Sequence, residues 1–224
     1  IFILVKKHSI MINIIILILV TIRCASFKSN EVGDIDVQFE KAKSFLDKKK
    51  YLRAQEEFNN LVIRGTHTEL GDDSQFYLAE SYFLNKEYLL AIAEYDRLIR
   101  RMGFSPYVEK SRWRVCQSYV KESPKYYKDQ TNTQKALSKL QEFIDDYPNS
   151  GYKDEANNQI SELRNKLAYK EYATGVLYIK MEEYQSAIMS FEFLIDNYYD
   201  TEVLEKGHVG IIRCYSLMDE YNKA

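Results

Sequence analysis

One spacing restricts what this chain can fold into. Ala42, Ala79 and Cys116 follow one another at intervals of 37 residues, each with an aromatic three places on: Phe45, Tyr82 and Tyr119. Gly175 with Tyr178 repeats the pair 59 residues later, and Ile212 with Tyr215 returns more loosely after a further 37. Twelve places beyond most of these small residues stands an alanine: Ala54, Ala91, Ala187 and Ala224. A tyrosine precedes each alanine by three places (Tyr51, Tyr88, Tyr184, Tyr221), and Phe58, Tyr95 and Phe191 follow four places after. Small residues on two adjacent helices let their backbones approach, and an aromatic one turn further on fills the hole between them. A fixed period of this length marks stacked helix pairs. With only 8 Gly and 3 Pro in 224 residues, the chain has few breakers and suits helices joined by short turns.

The pattern resembles the tetratricopeptide repeat, whose period is about 34 residues. It predicts an all-α tetratricopeptide-repeat superhelix of about five helix pairs, the last incomplete. The third repeat breaks the spacing twice. Cys116 to Ala136 is 20 residues instead of 12, which inserts a loop containing Pro124, Tyr126 and Tyr127. Ala136 to Ala187 is 51 instead of 37, and the fourteen extra residues fall in a continuous helical pattern from Lys153 to Met181. Fourteen residues add about four helical turns, so the fourth repeat is expected to open with one long helix. Ser150 and Thr201 are expected as its N-cap and that of the fifth repeat. The predicted organisation is repeats 1 and 2 over 36–106, repeat 3 over 107–151 with an inserted loop at 121–132, and repeats 4 and 5 over 152–224. The chain opens on Ile1 and the fifth repeat stops at Ala224, where its second helix is due, so a longer parent sequence is expected.

The first residues read as an address. Lys6, Lys7 and His8 precede an apolar run from Ile10 to Ile22, the order of a secretory signal. That run is shorter than the roughly 20 residues of a membrane span. Residues 1–23 are therefore a signal segment and 24–35 a polar tether that opens on Cys24. A cysteine just past the apolar run resembles a lipoprotein acylation site. Arg23 departs from the small residue usual there. Cys24 is expected to carry the lipid, of palmitate type.

Catalytic chemistry is not visible. His8, His67 and His208 share no metal-ligand spacing, no nucleophile motif frames a serine, and no glycine-rich loop is set to cradle a phosphate. The Asp145–Asp146 pair reads as a solvated helix face. The net charge of −2 gives no pull toward nucleic acid. Cys116 and Cys214 sit inside helical patterns as small apolar residues. The sequence predicts a binding protein without cofactor or metal, and not an enzyme.

Three stretches sharpen this: Asp129-Gln130-Thr131 through Ala136, then Phe143 to Ser150 (FIDDYPNS), then Ile160 to Tyr172 with Leu163-Arg164 and Leu167-Ala168. With the signal segment, the cysteine and the enlarged third-to-fourth repeat region, they resemble the BamD family, lipoproteins of the bacterial β-barrel assembly machinery. Tyr199 departs from the family, which usually has a proline there. The resemblance implies a lipid-anchored scaffold on the periplasmic face of the outer membrane. Its implied partners are a BamA-like barrel subunit, bound by repeats 4 and 5 through its periplasmic domains, and unfolded outer-membrane proteins. Another periplasmic tetratricopeptide adaptor is the competing reading, although no sustained heptads precede the first repeat. A repeat domain fused to a catalytic partner is a third.

Given such clients, the residues three places before each small residue are of interest. Phe39, Phe76 and Trp113 recur at the 37-residue period, with Tyr172 in the fourth repeat. They are expected either as an aromatic ladder that binds peptide, with Lys43, Glu80 and Gln117 as polar neighbours, or as rings packed between helix pairs.

Overall fold

The computed structural model describes residues 34–65 and 69–218. Cys24, the signal segment, Tyr221 and Ala224 lie outside the described residues. The described chain is helical throughout: α1 (34–47), α2 (Tyr51–Gly65), α3 (Gly71–Leu84), α4 (Tyr88–Arg101), α5 (Val108–Glu122), α6 (Thr131–Asp146), α7 (Lys153–Lys180), α8 (Tyr184–Asn197) and α9 (Leu204–Leu217). The helices form consecutive packed pairs of tetratricopeptide type. They gather into two compact units, one holding α1–α3 and the other α4–α9, with the division between Lys86 and Glu87.

The periodic residues are the core of both units. Ala42, Ala79, Ala54, Ala91, Ala136 and Ala187 are fully buried, and Cys116 nearly so. The position four after the second-helix alanine holds Phe58, Tyr95, Leu140 and Phe191, all likewise fully buried. In the first unit Phe39, Ala42, Ala54, Phe58, Leu61 and Leu78 make one cluster. Phe39 and Phe58 meet edge-on at 5.8 Å, and Tyr77 lies against both at 5.7 Å. Outside this cluster, Arg64 on α2 donates to Asp34 and Gln38 on α1.

Each short turn inside a helix pair uses a left-handed residue seven places after the small one. Lys49, Lys86 and Glu182 have φ of 56°, 65° and 64°. In the first and fourth repeats the next amide reaches back five residues to the aromatic: Lys50 N–H donates to Phe45 O at 2.8 Å and Glu183 N–H to Tyr178 O at 3.0 Å. This is a Schellman closure, which usually recruits glycine. Here L-residues carry it, held by the helices on both sides. The third repeat does without it. Ser123, seven places after Cys116, is extended at φ −66° and ψ 115° and leads into the inserted loop.

Helix α7 runs 28 residues, a rod of about 42 Å. Its first half joins the α5–α6 core through Ala156 and Leu163, with Trp113, Ala136, Leu140 and Phe143. Its second half joins α8 and α9 through Ala168 in one cluster and through Tyr172, Val176 and Ile179 in another with Phe191 and Cys214. One helix therefore serves two cores.

The expected caps are displaced. Ser150 Oγ accepts from Tyr152 N–H at 3.2 Å and donates to Glu109 at 2.6 Å, three residues before α7 begins. Thr201 Oγ1 donates to Tyr198 O at 2.7 Å, and α9 starts at Leu204. Both side chains shape the turn ahead of the helix instead of capping it.

Candidate functional site

The ladder residues come first. Phe39 is 5% exposed, Phe76 1% and Trp113 3%. Trp113 lies parallel to Tyr152 at 5.2 Å and against Phe143 at 5.5 Å. Rings this deep present no face to a peptide, so the first three rungs are seam residues between helices rather than the lining of a groove. The physical reason is that a 37-residue period fixes which positions recur but not the direction they face. The fourth rung differs: Tyr172 is half-buried, and Lys206 Nζ sits 5.9 Å above its ring. Among the polar neighbours, Lys43 Nζ lies 5.7 Å from both the Phe39 and Tyr77 rings. Glu80 is buried. Gln117, half-buried, donates to Glu155 at 3.3 Å and accepts from Arg114 at 2.8 Å.

Cys116 closes off one chemical possibility. Its S–H donates to Lys139 O at 3.1 Å, and burial pushes the thiol up to about 12. It stays protonated at neutral pH and is no nucleophile. It lines a recess of about 240 Å³ with Asp96, Arg112, Lys139 and Glu142. Lys139 donates to Glu142 at 2.6 Å, and Arg112 is engaged with Asp146. Burial raises the Asp96 carboxyl, against the pull of Arg100, Lys139 and Arg112.

Two features give the second unit a fixed surface. The first is a guanidinium clamp. Arg164 on α7 donates to both oxygens of Asp200 (2.6–3.1 Å) and to Asn197 O at 2.9 Å, with its plane 5.5 Å from the Tyr198 ring. Asn165 Oδ1 accepts from Glu202 N–H at 2.9 Å, so adjacent α7 residues pin the α8–α9 turn. The hydrogen bond from Arg164 holds the Asp200 carboxyl below its ordinary value and raises Arg164. A carboxylate depressed on folding contributes stability above its unfolded pKa of about 3.9 and loses it as pH falls through the lower folded value. Because Asp200 is 45% exposed, solvent limits the pair to about 1 kcal/mol. Arg164→Ala is therefore expected to lower stability by about that amount near neutral pH, with the gap to the parent closing below about pH 4. Denaturant titrations at several pH values measure it, and a gap that stays constant into strong acid rules this linkage out.

The second feature is the inserted loop. Gln130, 5% exposed, donates through Nε2 to the carbonyls of Lys125, Tyr126 and Lys128 at 2.9, 3.2 and 2.8 Å. Its Oε1 accepts from Thr133 at 2.7 Å. One buried amide thus gathers three carbonyls. Lys166 on α7 donates to Ser123 at the start of the loop at 2.8 Å, and burial lowers its pKa. Tyr126 meets Tyr169 of α7 edge-on at 4.8 Å. Sequence reasoning marked the loop as an insertion but missed that it docks. The one signal in the sequence was the Tyr126-Tyr127 pair, two large rings side by side in an inserted loop.

Buried small-residue seams, rings set between helix pairs and Schellman turns at a fixed register define a helical repeat protein of the tetratricopeptide class. The family model described as YfiO, outer membrane lipoprotein, matches residues 34–224, and the chain belongs to that family. It is similar to the outer membrane protein assembly factor BamD of Caulobacter vibrioides, 30% identical over 88 residues, which cover 39% of this chain and 29% of that protein. It is also similar to the outer membrane protein assembly factor BamD of Rickettsia prowazekii, 24% identical over 203 residues, 90% of this chain and 81% of that protein.

Proposed function

We propose that the chain is a non-enzymatic scaffold for outer-membrane protein assembly, tethered to the periplasmic face of the outer membrane through a lipid on Cys24. The observation that carries this reading is the family match over residues 34–224. Two relatives named as assembly factors support it. A repeat array suits the task because it offers extended surface without needing a reacting group. On this reading repeats 4 and 5 bind the barrel subunit, where the Arg164 clamp and α7 hold the surface rigid and less ordering is needed on binding. Unfolded outer-membrane proteins meet the accessible members of the expected client set, Lys43 and Gln117, while Phe39, Phe76 and Trp113 hold their helices in place and buried Glu80 stays with them.

Exposed apolar residues make the docking half testable without opening a core. Met189 on α8 is 69% exposed, and Tyr199 in the turn after it is equally exposed at 69%. The full-length chain, purified from its own outer membrane, is expected to bring down a barrel subunit, and Met189→Asp with Tyr199→Asp to lose it while still folding. Absence of any barrel subunit from the parent complex overturns the scaffold reading; retention by the folded variant overturns the placement. Cutting the chain near Ser150 is a poorer test, since it removes Ala156 and Leu163 from the α5–α6 core.

A further inference from the structure

The two places where the sequence departs from its period meet in space. The inserted loop and the lengthened α7 enclose a groove of about 580 Å³, lined by Tyr126, Tyr127, Tyr169 and Tyr172 with Lys170 and Lys180 on the α7 side. We propose that this groove binds an extended peptide segment that carries both acidic and aromatic side chains. The proposal does not depend on the assembly role.

The groove is built rather than incidental. The Gln130 amide fixes the loop wall, and the Tyr126–Tyr169 contact fixes its distance from α7. Its apolar surface is accessible: Tyr127 is 63% exposed and Leu177 56%. A patch of this kind framed by polar groups marks an interaction site. The occupant follows from charge. The lining holds two lysines and no carboxylate. Of the acids nearby, Glu171 stands 3.9 Å from Lys170, and Asp129 is turned back onto Thr131 N–H at 3.0 Å. Exposed Lys125 and Lys128 on the loop add to the positive side. Tyrosine faces give a partner ring somewhere to stack, and tyrosine hydroxyls and lysine ammonium groups bind carboxylates and backbone carbonyls. Length argues for a peptide. From Tyr169 to Lys180 the helix advances about 16 Å, which matches about five residues of extended chain.

The test uses the full chain in detergent and three labelled ten-residue peptides, read by fluorescence anisotropy. The first alternates Glu or Asp with Phe or Tyr. The second replaces its acids by Lys, and the third replaces its rings by Ser. The first peptide is expected to bind about tenfold or more tightly than either of the others. Tyr127→Ala with Leu177→Ala is expected to weaken it about tenfold without moving the unfolding midpoint, because both side chains are largely exposed. Lys170→Glu with Lys180→Glu is expected to reverse the preference toward the second peptide. Equal binding of the three peptides, no binding of the first at millimolar concentration, or unchanged affinity in both variants overturns the proposal. The last outcome places the peptide elsewhere on the chain.

Discussion

Trp113→Ala is expected to destabilise the fold by about 3 to 5 kcal/mol while leaving client affinity per folded molecule unchanged. Trp113 is the ring through which three helices meet. It lies on α5, stacks on Tyr152 just ahead of α7, and touches Phe143 of α6. Around it close Cys116, Ala136, Leu140 and Leu163. Two of these are small residues chosen for close approach, so the walls cannot fall inward to fill the void, and the cavity term is felt in full. Phe39→Ala should behave alike in the first unit, where Phe58 and Tyr77 rest on the ring. Denaturant unfolding gives the stability, and anisotropy with an unfolded outer-membrane protein fragment gives the affinity. A stability loss below about 1 kcal/mol together with weakened binding would return the ring to a peptide groove.

Gly175→Ala is expected to destabilise by about 2 kcal/mol, against the usual gain of about 1 kcal/mol for replacing a helical glycine. A Cβ on Gly175 meets the Phe191 ring at 2.5–2.9 Å along its Cδ1–Cε1 edge. Gly210 on α9 closes on the opposite edge, where a Cβ would lie 2.6–2.8 Å from Cε2, Cζ and Cδ2. The ring is held from both sides and fully buried, so it cannot yield to either helix. Gly151→Ala is the control, since a Cβ there meets nothing within 4 Å. Phe191→Leu should recover part of the loss in the Gly175→Ala background by narrowing the wedge. Calorimetric midpoints decide it: a midpoint that rises with Gly175→Ala as it does with Gly151→Ala would show that the helices separate freely.

The fold was legible where chemistry repeats. Ala42, Ala54, Ala79, Ala91 and Ala187 were singled out by spacing alone, and all are sealed in the core. Ile212 and Val209 show the same register from the other side. They occupy on α9 the places of Cys116 and Trp113 on α5, yet are 52% and 64% exposed. What repetition does not encode is orientation: the period of Phe39, Phe76 and Trp113 fits a groove and a seam equally well. It also misses single events. Arg164 finds Asp200 across 36 residues, and Arg112 engages Asp146 and the Tyr147 ring from a different place in its own repeat, so no period announces either arginine. The left-handed turns at Lys49, Lys86 and Glu182 escape notice because none of the three is a glycine or asparagine. The loop around Gln130 depends on one amide whose two N–H groups are shared among three carbonyls, a matter of geometry that composition cannot show.

The shared helix α7 bears on how the second unit comes apart. In most repeat arrays each pair touches only its neighbours, and stability spreads along the chain as nearly independent terms. A single rod with Leu163 in one core and Val176 in the next removes that independence. Fraying of α8 and α9 would strip the second half of α7 of its cover while the first half is still held by α5 and α6, an open state that leaves a long amphipathic stalk in water. Such a state is disfavoured, so the helices from α5 to α9 should exchange their amide protons as one cooperative block.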